Sequence, residues 1–239
     1  MSQRILAIDT SSDACSVALG WGEQIIERFS QQPRKHAELA LPMVDEVLAE
    51  AGIGLKQLDA IAFGRGPGSF TGLRIAAGVV QGLAFGADLP VVPVSSLAML
   101  AHRAYRENGW QQSHVAVDAR MGEVYWGSFV CTQLGSVSLL GRECVSKPED
   151  VAGAAAVQPA DGFYGVGSGW VYETELMAAT GPLQGCELTL LPHAADLVML
   201  AQSALKKEGA TVQAHEVAPV YLRNNVAAKP SANKLGKKQ

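Results

Sequence analysis

Apolar residues along the chain fall into short runs and helical stripes. Residues 4–9 (RILAID) are an apolar run ending on an Asp, and Ser11, Ser12 and Asp13 supply turn chemistry behind it. Residues 15–19 and 24–29 read as two further strands with Gly20 and Gly22 between them, an antiparallel meander. From Pro33 to Ala51 the small and apolar residues Ala37, Ala40, Leu41, Val44, Val47, Leu48 and Ala51 recur at i, i+3, i+4. That spacing predicts a helix with one buried face, closed by Gly52 and Gly54, with a kink at Pro42. Strands are expected near 59–63, 90–94, 114–118, 123–130 and 162–166. Helices are expected at 70–86, from Ser95 or Ser96 to about Glu107, near 169–179 and at about 193–208. Ser146-x-x-Glu149 has the form of a capping box opening a short helix.

Two segments echo each other. Residues 5–20 (ILAIDTSSDACSVALG) and 114–129 (HVAVDARMGEVYWGSF) are each an apolar strand ending in Asp, a polar turn and a second strand. Each opens a strand-and-helix half of similar length, which predicts a duplicated α/β fold of two lobes. The expected division is 1–108 for the N-terminal lobe and 109–192 for the second, with about 193–223 packing back on the first.

Residues 64–86 (GRGPGSFTGLRIAAGVVQGLAFG) hold seven glycines. The stretch is not a phosphate loop of the GxxxxGK[ST] type, since no lysine lies between 57 and 146. Gly64, Gly66 and Gly68 miss the GxGxxG spacing by one residue, and Pro67 and Thr71 take the glycine positions of a nucleophile elbow around Ser69. What remains is a glycine turn into a helix capped by Ser69 or Thr71, preferred as a tight strand-to-helix turn over direct phosphate binding. Gly78, Gly82 and Gly86 continue a row from Arg74. Each interior glycine costs a helix about 1 kcal/mol against alanine, so a backbone neighbour is expected along that row. The neighbour is either the protein's own sheet or another subunit's helix. On the preceding helix His36, Leu39 and Met43 form a partial second row. That row is either stray surface or a face that packs on a partner, with His36 read as a surface histidine.

Composition then narrows the chemistry. The chain has 239 residues, 48% hydrophobic and 18% charged, with net charge −4. This predicts a folded protein without a basic nucleic-acid footprint over the whole chain. Four scattered cysteines with no CxxC pair suit a reducing cytoplasm, and neither a signal peptide nor a membrane span is expected. The five histidines form no HExxH or HxxxH pair, so no metal site is expected. Asp9 and Asp118, each ending an apolar strand beside a turn, are the best polar candidates for a ligand cleft, the alternative being an Asp that caps its own turn. Arg120 and Glu123 are expected to pair across the second turn. The final KPSANKLGKKQ reads as a disordered basic tail.

IDTSS (8–12), GRGPGSFTGLRIA (64–76), the VDARxxEVY form at 117–125 and PVYLR (219–223) together resemble the bacterial TsaB family, also called YeaZ. The likeness runs from Ile5 to Arg223. It implies an actin/hexokinase/Hsp70-type (ASKHA) fold and a part in making threonylcarbamoyladenosine on the anticodon-loop adenosine of tRNA. It further implies a non-catalytic subunit, without cofactor or metal of its own, that partners a TsaD-like catalytic subunit and a TsaE-like ATPase. It implies homodimers in isolation through the same surface, built from helices at about 34–51 and 70–86. Contact with tRNA would be indirect or weak. His36, Leu39, Met43, Arg74, Gly78, Gly82 and Gly86 would then lie at that interface, and Asp9 and Asp118 would mark a vestigial ligand cleft. The competing reading is an enzyme, an ATP-dependent kinase or phosphotransferase of the same fold that uses Asp9, Asp118 and the glycine turn.

Overall fold

Two five-stranded sheets, built on one plan, carry the chain. The computed structural model describes residues 3–158 and 160–223, so the lysine-rich tail lies outside the described residues. The first sheet is formed by β1 (Arg4–Asp9), β2 (Cys15–Trp21), β3 (Gln24–Ser30), β4 (Ala60–Gly66) and β5 (Val91–Ser95), in the order β3-β2-β1-β4-β5. The second holds β6 (Gln112–Asp118), β7 (Val124–Gln133), β8 (Ser136–Ser146), β9 (Phe163–Val166) and β10 (Leu183–Glu187), in the order β8-β7-β6-β9-β10. Adding five to each strand number of the first order gives the second. The helices follow suit: α1 (His36–Ala51), α2 (Phe70–Ala87) and α3 (Ser96–Asn108) occupy the connections that α4 (Val151–Ala155), α5 (Glu173–Thr180) and α6 (Ala194–Ala204) occupy in the second half. The Asp9 and Asp118 echo is therefore one element of a full topological repeat.

The central strands explain why their apolar runs lack alternation. β1 pairs antiparallel with β2 (Asp9 opposite Ser16) and parallel with β4 (Ile8 opposite Phe63), and helices cover both faces. Ile5, Leu6, Ala7 and Ile8 are all fully buried, as a strand covered on two sides requires. The halves then exchange helices. Leu197, Val198 and Ala201 of α6 pack on Ile5, Ala7, Ala18 and Ala60 of the first sheet. Leu97, Leu100 and Ala104 of α3 pack with Val115, Phe129 and Val166 of the second.

The start of α6 is fixed by the first sheet. The Ala194 N–H donates to Ser16 Oγ (2.9 Å) and the Ala195 N–H to Glu27 Oε1 (3.1 Å). The Glu27 carboxylate thus caps the helix and sits at its positive end.

Several expectations change. α6 ends at Ala204 rather than near 208, and the segment before α5 is a tight 3-10 turn, Ser168–Tyr172. β8 and β10 had no sequence signal; both are edge strands of the second sheet. α1 runs unbroken through Pro42, whose exposed position lets water satisfy the carbonyl left without its N–H partner. The buried stripe of α1 is also displaced. His36, Ala40, Met43, Val44, Val47 and Leu48 face the core, whereas Ala37 and Leu41 are exposed. Met43 and His36 are thus interior residues, and the surface assignment of His36 is corrected.

Candidate functional site

The glycine-rich stretch divides into two kinds of glycine. Gly64, Gly66, Gly68 and Gly72 sit where a side chain has no room. A Cβ on Gly64 would lie 1.8 Å from Asp9 Oδ2, one on Gly68 would lie 2.3 Å from the Ser11 carbonyl oxygen, and one on Gly72 would lie 1.9 Å from that of Thr10. Gly66 has φ +100°, in the left-handed region, with Leu73 and the Val220 carbonyl against it. Gly68 and Gly72 let the start of α2 dock on the loop after β1, while Gly64 leaves room for the Asp9 carboxylate and Gly66 for the Val220 carbonyl. Gly78, Gly82 and Gly86 are different: a Cβ at each meets nothing within 4 Å among the described residues. The expected backbone neighbour is not the protein's own sheet. The row faces outward, beside Phe85, which is 82% exposed.

α2 holds itself to the core through Leu73, Ala76, Ala77, Val80 and Ala84. α2 alone, among the described residues, has the length and mean hydropathy (1.3 over 18 residues) to cross a membrane, a mean carried largely by its buried residues. Its buried inner face makes it a core helix, and its exposed face mixes Phe85 and the three glycines with Thr71, Arg74 and Gln81. Leu41 of α1, 48% exposed, extends the uncovered apolar surface to that helix. Of the residues expected on this face, Gly78, Gly82 and Gly86 lie on it and Arg74 is exposed at its N-terminal end. Leu39 is half-buried against the first core, and His36 and Met43 turn inward. Arg74 stacks over Phe70 (3.6 Å to the ring centre) and donates to the Tyr221 hydroxyl (3.0 Å). Phe85 and Leu41 were missed. An aromatic among surface glycines was the available signal for Phe85; Leu41 had been assigned to the buried stripe.

Between the sheets lies a cleft of about 730 Å³. Its walls are the Ser11–Asp13 loop, the start of α2 at Pro67–Thr71, the Val117–Arg120 end of β6, Tyr125 and Leu190–Pro192. Asp118 lines it, with Arg120 bonded to both carboxylate oxygens: the Arg120 N–H to Oδ1 at 2.9 Å and Nη1 to Oδ2 at 3.2 Å. Arg120 therefore pairs with Asp118 and not with Glu123, which instead binds Arg223. Arg223 also donates to the Ala119 carbonyl (3.0 Å). It thereby braces a turn in which Arg120, Met121 and Gly122 all have positive φ (64°, 60° and 72°).

Asp9 does not line the cleft. It lies fully buried behind the Ser11–Asp13 wall. Oδ1 accepts from the Ser11 N–H (3.1 Å) and the Ser11 hydroxyl (3.0 Å). Oδ2 has no partner, nor does the buried hydroxyl of Ser96, which lines the cleft. Burial pushes the Asp9 carboxyl up to about 6, against the opposing pull of the Ser11 hydrogen bonds and of His36 and His193. The structure thus separates the two aspartates by position: Asp118 faces the cleft in an ion pair, and Asp9 is fully buried behind its wall.

Among the described residues no three His, Cys, Asp or Glu side chains converge to hold a metal ion. The thiols are protonated at neutral pH. Burial pushes Cys15, Cys144 and Cys186 up to about 11 and Cys131 to about 12.

A family model described as TsaD, tRNA N6-adenosine threonylcarbamoyltransferase, matches residues 27–231. The chain is 43% identical over 227 residues to the tRNA threonylcarbamoyladenosine biosynthesis protein TsaB of Escherichia coli K12, covering 95% of this chain and 97% of that one. It is 43% identical over 232 residues to the TsaB protein of Haemophilus influenzae, covering 94% and 95%. The solved structure of YeaZ from Pseudomonas aeruginosa is 48% identical and superposes with a TM-score of 0.84 over 92% of this chain and 100% of that one.

Proposed function

The chain belongs to the TsaB (YeaZ) family of tRNA threonylcarbamoyladenosine biosynthesis proteins, and from that membership we propose that it is the accessory subunit of the modifying complex. In this reading the chain binds a TsaD-type catalytic subunit through the outer face of α1 and α2, and a TsaE-type ATPase joins the pair. By itself it forms homodimers through the same face. It works in the cytoplasm, needs no cofactor and meets tRNA only indirectly. Its repeated lobes are of the actin/hexokinase/Hsp70 type, with the interlobe cleft a relic of that ancestry.

The observation that supports this most is the row of Gly78, Gly82 and Gly86, open to solvent beside an exposed Phe85. Three interior glycines cost a helix about 2–3 kcal/mol. No described residue uses the space they leave, so close approach by a second backbone is the offset. Leu41 and Phe85 supply apolar area and an aromatic anchor.

The test is reconstitution with TsaD, TsaE, TsaC, threonine, bicarbonate, ATP and unmodified tRNA, scoring the modified nucleoside with and without this chain. Product only when the chain is present is the expected result. Equal product without it overturns the accessory role and turns attention to the interlobe cleft as a phosphotransferase site. In the same assay, Gly82→Leu is expected to abolish association with TsaD on gel filtration while leaving the chain folded.

A further inference from the structure

The loop after β1 contacts the first turns of both α1 and α2. Ser69, at the start of α2, donates its N–H to the Ser11 carbonyl at 2.8 Å. The Thr10 hydroxyl donates to the Gly72 carbonyl at 2.7 Å, and the Gly72 Cα lies so close to the Thr10 backbone that no Cβ fits. On the other side His36, the first residue of α1, places Nε2 2.9 Å from the Ser12 carbonyl. Since a carbonyl only accepts, that nitrogen bears the proton. Three consecutive loop residues therefore hold the N-termini of both helices. Within the loop Asp9 Oδ1 accepts from both the N–H and the hydroxyl of Ser11, and Ser12 Oγ accepts from the Ala14 N–H at 3.2 Å.

We propose that Asp9 and His36 are positioning residues for partner binding, fixing the Thr10–Ser12 loop so that α1 and α2 present one rigid face. Asp9 is then retained for its acceptor geometry and not for its charge. Its depth behind the cleft wall and its bonds to a single neighbouring residue fit a strut. His36 acts from the opposite end of the loop. Neither side chain reaches the face; both act through the loop and the helices it seats. A buried hydrogen-bonded network of this kind fixes geometry because each broken bond leaves an unsatisfied polar atom.

The inference rests on the helix-face reading above, and the experiment separates the two. Full-length Asp9→Ala, Asp9→Asn, His36→Leu, His36→Gln and Gly82→Leu are titrated by calorimetry against a purified TsaD-type subunit, well below their unfolding transitions. Hydrogen exchange is followed in the same samples. Expected for Asp9→Ala and His36→Leu is a loss of affinity of about tenfold or more, with faster exchange confined to the first turns of α1 and α2. Asp9→Asn and His36→Gln, which keep an acceptor and a donor respectively, restore affinity to within about threefold of the parent. A merely structural role predicts faster exchange throughout β1 and β4 instead. If Asp9→Ala does not fold, Ser11→Ala, which removes only the hydroxyl bond to Asp9, takes its place with a smaller loss expected. Parent affinity in Asp9→Ala and His36→Leu while Gly82→Leu fails to bind overturns the positioning role and leaves the face intact. Asp9→Asn as weak as Asp9→Ala overturns it too, because charge would then be what matters. Parent affinity in Gly82→Leu overturns the face itself.

Discussion

His102 on α3 and Asp196 on α6 meet at 2.6 Å between Nδ1 and Oδ1, both side chains fully enclosed. The other ring nitrogen accepts the Gly135 N–H at 2.8 Å, so the histidine is the neutral tautomer with its proton directed at the carboxylate. Arg106 completes the group, with Nε and Nη2 each 2.9 Å from an Asp196 oxygen. The two helices that the halves exchange are thus locked to each other, and to the β7–β8 turn, by one buried polar cluster.

Removing a member leaves the others unsatisfied, so His102→Ala is expected to cost about 3 kcal/mol of unfolding free energy. Burial works to raise the Asp196 carboxyl, but the hydrogen bonds from His102 and Arg106 outweigh it and hold it below the usual range. A carboxyl lowered in the folded state contributes stability above its unfolded value, and that contribution disappears as pH falls below about 4. Urea titrations of parent and variant across acid pH check both statements: the parent's excess stability narrows in acid.

The two kinds of glycine on α2 make opposite predictions. Gly72→Ala drives a methyl into the Thr10 carbonyl and is expected to cost about 3 kcal/mol or more. Gly78→Ala meets open space among the described residues and is expected to stabilise the monomer, at concentrations too low for self-association, by up to about 1 kcal/mol, or about 2–4 °C in Tm. Thermal unfolding of both variants decides it, and a Gly72→Ala protein as stable as the parent refutes the docking of α2 on Thr10.

Asp9 runs opposite to Asp196. Its carboxyl is raised to about 6, so the folded protein binds that proton more tightly than the unfolded chain does. The associated stability is fully present below about pH 4 and is lost as pH rises through about 6. Asp9→Asn, which carries no charge to desolvate, is expected to be more stable than the parent at pH 8, by on the order of 3 kcal/mol, and to flatten the dependence between pH 4 and 6. Chemical denaturation at pH 5 and pH 8 measures the difference, and an unchanged pH dependence in the variant excludes it.

Phe85 separates binding from folding. At 82% exposure it contributes almost nothing to the core, so Phe85→Glu should leave the Tm of the monomer, read at concentrations too low for self-association, within about 1 °C of the parent. As the anchor of the proposed face it should lower affinity for the partner, and for a second copy of this chain, by about thirtyfold or more. Sedimentation velocity of the chain alone and with a TsaD-type subunit reads both associations, and undisturbed association in either shows that Phe85 lies outside that contact.

The sequence by itself determined the strand-Asp-turn-strand unit at Asp9 and its repeat at Asp118, a cap at Ser69 or Thr71, most of the helices and the family. These follow from local chemistry: apolar runs too continuous for a surface strand, glycine and serine at turns, and motifs long enough to be specific. It could not locate β8 and β10, because edge strands take their order from ladder bonds to a neighbour and need little apolar pattern of their own. Nor could it decide which way α1 turns. Ala37-Leu41 and His36-Met43 stripes are both compatible with helical spacing, and the choice is made by packing of Ala40, Met43, Val44, Val47 and Leu48 on the first sheet, together with the Ser12 carbonyl that accepts from the His36 ring. The glycines show the same division. Their number was visible along the chain, but whether a missing Cβ makes room for Thr10 or for another molecule depends on what lies across from it, and that is set by packing between segments distant in sequence.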